Sequence, residues 1–204
     1  MSTEINPVVN IEEAEEQKTP SAPNRLKRVK LIVAYDGTNY HGWQVQPNGE
    51  TIEGVLNRTL SSLLGEKIIV TGASRTDAGV HSMGNVAVFD TKSRIPAEKI
   101  SYALNQRLPE DIVVQKSEEV PADFHPRHCD SRKTYEYRIL NREFPLPMYR
   151  NNTYFCYRKL DLEKMQQAAE YLRGEHDFKS FCATAAVVET TVRTIYELTV
   201  SRQE

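Results

Sequence analysis

No apolar run in this sequence approaches the roughly 20 residues that a membrane-spanning helix needs. The N-terminus is polar and acidic where a secretory leader is basic and then apolar. A soluble, cytoplasmic protein is therefore expected. Cysteine is scarce: Cys129, Cys156 and Cys182 are odd in number, far apart and without a C-x-x-C pair. That pattern leaves no paired-cysteine zinc site or redox couple and fits free thiols in a reducing compartment. Excess charge is also lacking, with a formal net charge of -2. The first twenty residues hold Glu4, Glu12, Glu13, Glu15 and Glu16 against Lys18, and the remainder carries 25 bases against 23 acids. So weak a basic balance neither announces nor excludes a local nucleic-acid-binding patch.

What is present fits one large domain or two small ones within 204 residues. Residues 1-24 have no apolar periodicity and contain Pro7, Pro20 and Pro23, so they read as a disordered acidic arm. From residue 25, Val29, Leu31, Val33 and Tyr35 alternate with less apolar neighbours ahead of Asp36-Gly37, the pattern of a strand and turn. Thr51 then offers an N-cap to an amphipathic helix carrying Ile52, Val55, Leu56, Leu60, Leu63 and Leu64, closed by Gly65. KIIVTG and GNVAVFD read as two strands around ASRTDAGVHS, and Pro96 opens a second helix that stops at Leu108-Pro109. A strand at IVVQKSEEV follows. Beyond the irregular PADFHPRHCDSR, KTYEYRIL is expected to be a strand with Tyr135, Tyr137 and Ile139 on one face, Tyr137 in the core. A third helix spans Asp161 to Arg173 with Leu162, Met165, Ala169 and Leu172 inward, and TVRTIYELTVSR reads as a last strand. Strands punctuated by helices at hairpin-length spacing predict an α+β fold with a largely antiparallel sheet and flanking helices.

The densest group of reactive and turn-forming residues is Ser74-Arg75-Thr76-Asp77-Ala78-Gly79-Val80-His81, set between two strands. Loops held by a rigid sheet commonly carry active sites. Arg75 is close enough in sequence to favour an ionised Asp77, the form a nucleophile requires, and Gly79 permits a tight turn. On residue chemistry alone, a plain turn stabilised by an Arg-Asp pair accounts for the segment equally well.

ASRTDAGVHS resembles the signature loop of the TruA-type tRNA pseudouridine synthases, commonly G-R-T-D-A-G-V-H-A, with Ser74 and Ser82 at the flanking small positions. YDGTNYHGWQ, LNQRLPEDI, DFHPRHCDSRKTYEYRI, LRGEHDFKSF and VRTI resemble further family segments in the same order, from about residue 28 to the end of the chain. The resemblance implies the pseudouridine synthase fold, two α/β halves flanking a basic cleft, here spanning 25-120 and 121-204. It implies isomerisation of uridine to pseudouridine at positions 38-40 of the tRNA anticodon stem-loop by a homodimer. By the same resemblance Asp77 is the catalytic aspartate, Arg75 the arginine that enters the space of the displaced base, and Tyr135 the tyrosine packed on the target uracil. The reaction exchanges a C1'-N1 bond for C1'-C5 with no net gain or loss of atoms or electrons, so it needs no metal, nucleotide or redox cofactor. Three routes are open to an ionised Asp77: attack on C1', attack on C6, or removal of a sugar proton.

His125 and His128 beside Cys129 lack a second cluster at ligand spacing and read as loop or RNA-contact residues. Arg127, Arg132 and Lys133, with Phe124 and Tyr135 nearby, fit phosphate contacts with adjacent stacking and fit a solvated basic surface as well. One departure from the family pattern stands out. Family members continue past VRTIYELTVSR with a strand and a helix bearing an F-x-x-x-M-V-R motif, which this sequence does not contain. The second half is therefore expected to be incomplete, and a non-catalytic tRNA-binding remnant is the alternative to an enzyme. With its following strand missing, TIYELTV is also expected to form an exposed sheet edge.

Overall fold

The computed structural model describes residues 25-129, 131-182 and 190-203, so the acidic arm expected over 1-24 lies outside the described residues. The described chain divides into two compact units, one ending at Arg132 and the other beginning at Lys133.

The first unit is built on β1 (Lys27–Tyr35), whose Val29, Leu31, Val33 and Tyr35 are all buried as their alternation predicts. Helix α1 (Ile52–Leu64) starts where the Thr51 hydroxyl accepts the Gly54 N–H at 3.2 Å, and its Ile52, Val55, Leu56 and Leu60 face the core. The KIIVTG segment is a strand only at β2 (Thr71–Gly72). Ile68 and Val70 are buried, but their N–H groups donate to α1 side chains, to Ser61 Oγ at 2.9 Å and to Asn57 Oδ1 at 2.7 Å. An extended, half-buried segment thus satisfies its backbone on a helix and not in a ladder.

β3 (Ser82–Thr91), α2 (Ala97–Asn105) and β4 (Ile112–Val120) complete an antiparallel sheet of order β2-β3-β1-β4. Both helices contribute to one core on one face of it, with Ile100 and Leu104 of α2 fully buried. Burying each such side chain stabilises the unit by about 1.5-3 kcal/mol. The opposite face carries charge: Arg28 pairs with both oxygens of Asp90 at 2.8 Å, and Lys30 and Lys116 flank Glu118. Register slips once on each side of β1, between Val33 and Tyr35 against β3 and between Ile32 and Val33 against β4. Beside the second slip, Asn105 of α2 satisfies backbone groups of the edge strand β4, donating to the Val114 carbonyl at 3.0 Å and accepting its N–H at 2.8 Å. Residues 121-129 also belong to this unit, since Arg28 donates to the Phe124 carbonyl at 3.1 Å and the Lys30 ammonium stands 5.7 Å from the Phe124 ring.

The second unit holds β5 (Ile139–Asn141), β6 (Tyr154–Cys156), α3 (Leu162–Leu172), β7 (Gly174–Asp177) and β8 (Val192–Ile195). β5 pairs with β6 in parallel and β7 with β8 antiparallel. Helix α3 is capped by the Asp161 carboxylate, which accepts the Lys164 N–H at 3.1 Å, and turns Leu162, Met165, Ala169 and Leu172 inward, as its spacing predicts. Of these only Ala169 is buried.

Two expectations are corrected here. KTYEYRIL is not a strand as a whole: pairing begins where Tyr154 N–H donates to the Arg138 carbonyl, and residues 131-138 have no regular structure. Without a neighbouring strand, alternation alone does not hold that segment extended. Tyr137 is accordingly 74% exposed and not a core residue. The last expected strand is likewise confined to Val192–Ile195, leaving Tyr196 exposed. The architecture is α+β, and its main sheet is antiparallel.

Candidate active site

The segment between β2 and β3 carries the signature residues and is held chiefly by the turn that follows β1. Trp43 N–H donates to the Thr76 carbonyl at 3.0 Å, and Gly79 N–H donates to the Tyr40 carbonyl at 3.2 Å. The Tyr35 hydroxyl lies 2.9 Å from Thr76 Oγ1. This approach requires glycine at position 42: its φ is +81°, and a Cβ there would stand 2.3 Å from the Thr76 carbonyl oxygen. Gly79, with φ of +78°, reverses the loop as the sequence predicts, and the Val80 N–H closes the turn on the Asp77 carbonyl at 3.2 Å.

Below the start of the loop, Asn85 is buried at 6% exposure and bonds both backbone groups of Ser74. Its amide donates to the Ser74 carbonyl at 3.0 Å and its oxygen accepts the Ser74 N–H at 3.3 Å. At the far end, His81 Nδ1 accepts the Gly37 N–H at 3.1 Å and lies 3.0 Å from an Asp36 oxygen. Donation from the Thr38 hydroxyl and amide holds the Asp36 carboxyl below the usual aspartate range. Burial pushes the Tyr35 phenol upward, and burial together with Asp111 does the same to Tyr40, whose hydroxyl donates to Asp111 at 2.5 Å.

Against this pinned backbone, Arg75 and Asp77 project outward. Both are exposed, and among the described residues neither makes an ion pair or a side-chain hydrogen bond. The plain turn stabilised by an Arg-Asp pair is therefore not what the loop forms. A carboxylate left unpaired on a rigid turn is available to a substrate, whereas one neutralised by its neighbour is not.

Tyr135 lies in the second unit, 81% exposed within the irregular stretch 131-138. An exposed ring meets the requirement for stacking on a base, which a core ring does not. His125 and His128 stack on each other with ring centroids 4.1 Å apart, and among the described residues no three His, Cys, Asp or Glu side chains are grouped to hold a metal. Reasoning from residue chemistry passed over Tyr35, Gly42, Trp43 and Asn85. The first three lie in YDGTNYHGWQ, a run with two glycines, three aromatics and no apolar periodicity, the one available signal that it serves a loop and not the core alone.

The family whose sequence model is described as tRNA pseudouridine synthase matches residues 31-128 and 168-204 of this chain. The chain belongs to that family. The tRNA pseudouridine synthase A of Acetivibrio thermocellus is 48% identical over 179 residues, 88% of this chain and 73% of that protein. Those of Ruminiclostridium cellulolyticum and a Thermoanaerobacter species are 48% and 46% identical over the same shares. Membership in the tRNA pseudouridine synthase family makes the chain an isomerase of tRNA uridine. The matched range takes in the loop from Ser74 to His81 and the turn that pins it, while Tyr135 falls between the two matched segments.

Proposed function

We propose that this tRNA pseudouridine synthase modifies uridines of the anticodon stem-loop, with Asp77 as its catalytic carboxylate, Arg75 filling the space of the displaced base and Tyr135 stacking on the uracil. The observation that carries the reading is the exposed, unpaired Asp77 on a loop whose neighbouring residues are fixed from beneath. Attack on C1', attack on C6 and abstraction of a sugar proton all begin from a free ionised carboxylate, so each draws on the same feature. In every route the C1'-N1 bond breaks, the base turns and C1' joins C5.

The target nucleotide must leave its stack, at a cost of a few kcal/mol that is smallest where pairing is weak, as in a loop or at the end of a stem. An aromatic ring such as Tyr135 returns about 1-3 kcal/mol per stacked base. Exposed Arg75 can then occupy the position the base has left, its fork of donors suited to the phosphates and base edges around it. Exposed basic side chains at Arg127 and Lys133 support phosphate contact. Among the described residues no helix is long and apolar enough to cross a membrane, and the proposed setting is the cytoplasm, where tRNA is processed. The proposed assembly is a homodimer, for which the exposed Phe144, Met148 and Tyr149 of the second unit leave apolar surface.

Incubating unmodified tRNA with the chain, then labelling with carbodiimide and extending a primer, tests the reading. New stops within the anticodon stem-loop are expected. Stops only elsewhere would overturn the proposed target, and none at all the proposed activity.

A further inference from the structure

We infer that Tyr35 and Asn85 act together as positioning residues for Asp77, locking the backbone on both sides of Arg75 so that the carboxylate is presented in one place. The inference rests on the reading of Asp77 as the catalytic carboxylate. Both side chains are polar, both are buried, and both stand where β1 and β3 lose register: Val33 pairs with Asn85, then Tyr35 with Ser82. An apolar side chain would fill either position without burying a polar group, which is unfavourable when left unpaired. Here the polar ends are paired, and their partners lie in the signature loop. Asn85 bonds the N–H and the carbonyl of Ser74, as a neighbouring strand would, and Tyr35 meets the Thr76 hydroxyl.

Ser74 and Thr76 flank Arg75, and Asp77 follows directly. With the Trp43 N–H on the Thr76 carbonyl, the backbone entering Asp77 is held at three points while the Asp77 side chain itself is held by none. That division of labour suits a group that must meet a reacting carbon at a fixed distance without being neutralised. Burial keeps the Tyr35 phenol protonated through the working pH range, so the contact does not titrate with the reaction.

Single-turnover tritium release from uracil-labelled tRNA, run beside tRNA affinity, tests the inference. Asn85→Ala should lower the rate roughly 100-fold and Tyr35→Phe roughly five- to tenfold, each with affinity within about threefold of wild type. Thr76→Val should match Tyr35→Phe, Thr76→Ser should restore most of the rate, and the Tyr35→Phe/Thr76→Val pair should be no slower than the worse single variant. The pH profile should keep its shape in all of them, because positioning scales the rate without adding a titrating group. Trp43 is the single tryptophan and reports folding of this unit. If its emission shows Asn85→Ala unfolded, the Tyr35 and Thr76 variants decide.

Rates within twofold of wild type in Tyr35→Phe and Thr76→Val, with Asp77→Asn inactive, would overturn the inference and leave Asp77 in place. A changed pH profile, or a loss confined to affinity, would also overturn it. Turnover by Asp77→Asn would instead remove the reading on which it rests.

Discussion

The two units solve the problem of burial very differently. Among the described residues, every large buried apolar side chain belongs to the first unit, from Val29 to Val114, and Ala169 is the second unit's sole buried apolar residue. The second unit instead exposes Tyr135, Phe144, Met148, Tyr154, Tyr171 and Phe181, and its strands pair two by two. The first can therefore hold a loop rigidly, because a four-stranded sheet with two helices on one face fixes both the strand that feeds the loop and the strand that leaves it. Rigid presentation of Arg75 and Asp77 follows from that packing. Local stability follows buried apolar contact, so the same comparison sets how each unit should respond to stress.

The largest expected effect is a separation of the two units in urea. Trp43 is buried in the first unit, so its emission follows that unit alone, whereas far-ultraviolet dichroism follows both. The dichroism should begin to fall at lower urea than the fluorescence. Coincident curves would show one cooperative unit and break the comparison.

Truncating buried apolar side chains in the first unit and an exposed one in the second sharpens it. Leu56→Ala or Ile100→Ala, both at fully buried sites, should cost about 2-5 kcal/mol in the fluorescence-detected transition. Phe144→Ala, at a 66% exposed site, should change stability by no more than about 0.5 kcal/mol. Similar losses at both would mean that the second unit buries its aromatics in solution.

A smaller effect is expected at Tyr135, whose proposed stacking role requires the exposure its ring has. Tyr135→Ala should weaken tRNA binding by about 1-3 kcal/mol, and Tyr135→Phe by much less, because the ring supplies the stacking. Equal affinities for the two variants would exclude a stacking role.

The smallest is a pH effect. Donors from Thr38 lower the Asp36 carboxyl, and the Arg28 fork lowers that of Asp90. A carboxylate whose folded pKa lies below its unfolded value contributes stability above the unfolded pKa, and that contribution is lost as pH falls through the folded one. The first unit should therefore weaken below about pH 4, near the ordinary aspartate value. Asp90 is partly exposed, and solvent screening keeps its share small. Replacing Asp36 and Asp90 by Asn should flatten the fluorescence midpoint between pH 5 and pH 3 by the methods above. An unchanged slope would remove both carboxylates from the account.

Most of the first unit is legible in its sequence because local pattern and tertiary packing agree there. Alternation from Val29 to Tyr35, the Thr51 cap and the Gly65 stop each mark a boundary that the fold uses. Ile68 and Val70 show the limit, since a strand pattern does not disclose that Asn57 and Ser61 will supply the partners. In the second unit, alternation at Tyr135, Tyr137 and Ile139 mimics a half-buried strand, but only β5, from Ile139, finds a neighbour to pair with. The signature loop is visible as a cluster of reactive residues, and its resemblance implies roles for two of them, Arg75 and Asp77. Its supports are not, because Tyr35 and Asn85 lie 50 residues apart in sequence and meet the loop only through strand pairing.

The most direct test of the account is Asp77→Asn, which keeps the size of the side chain and removes its charge. Tritium release should disappear while tRNA affinity stays within a few-fold of wild type, since a group acting on the reacting atoms contributes to the transition state more than to the ground state. Turnover close to wild type in the Asn variant would contradict the account.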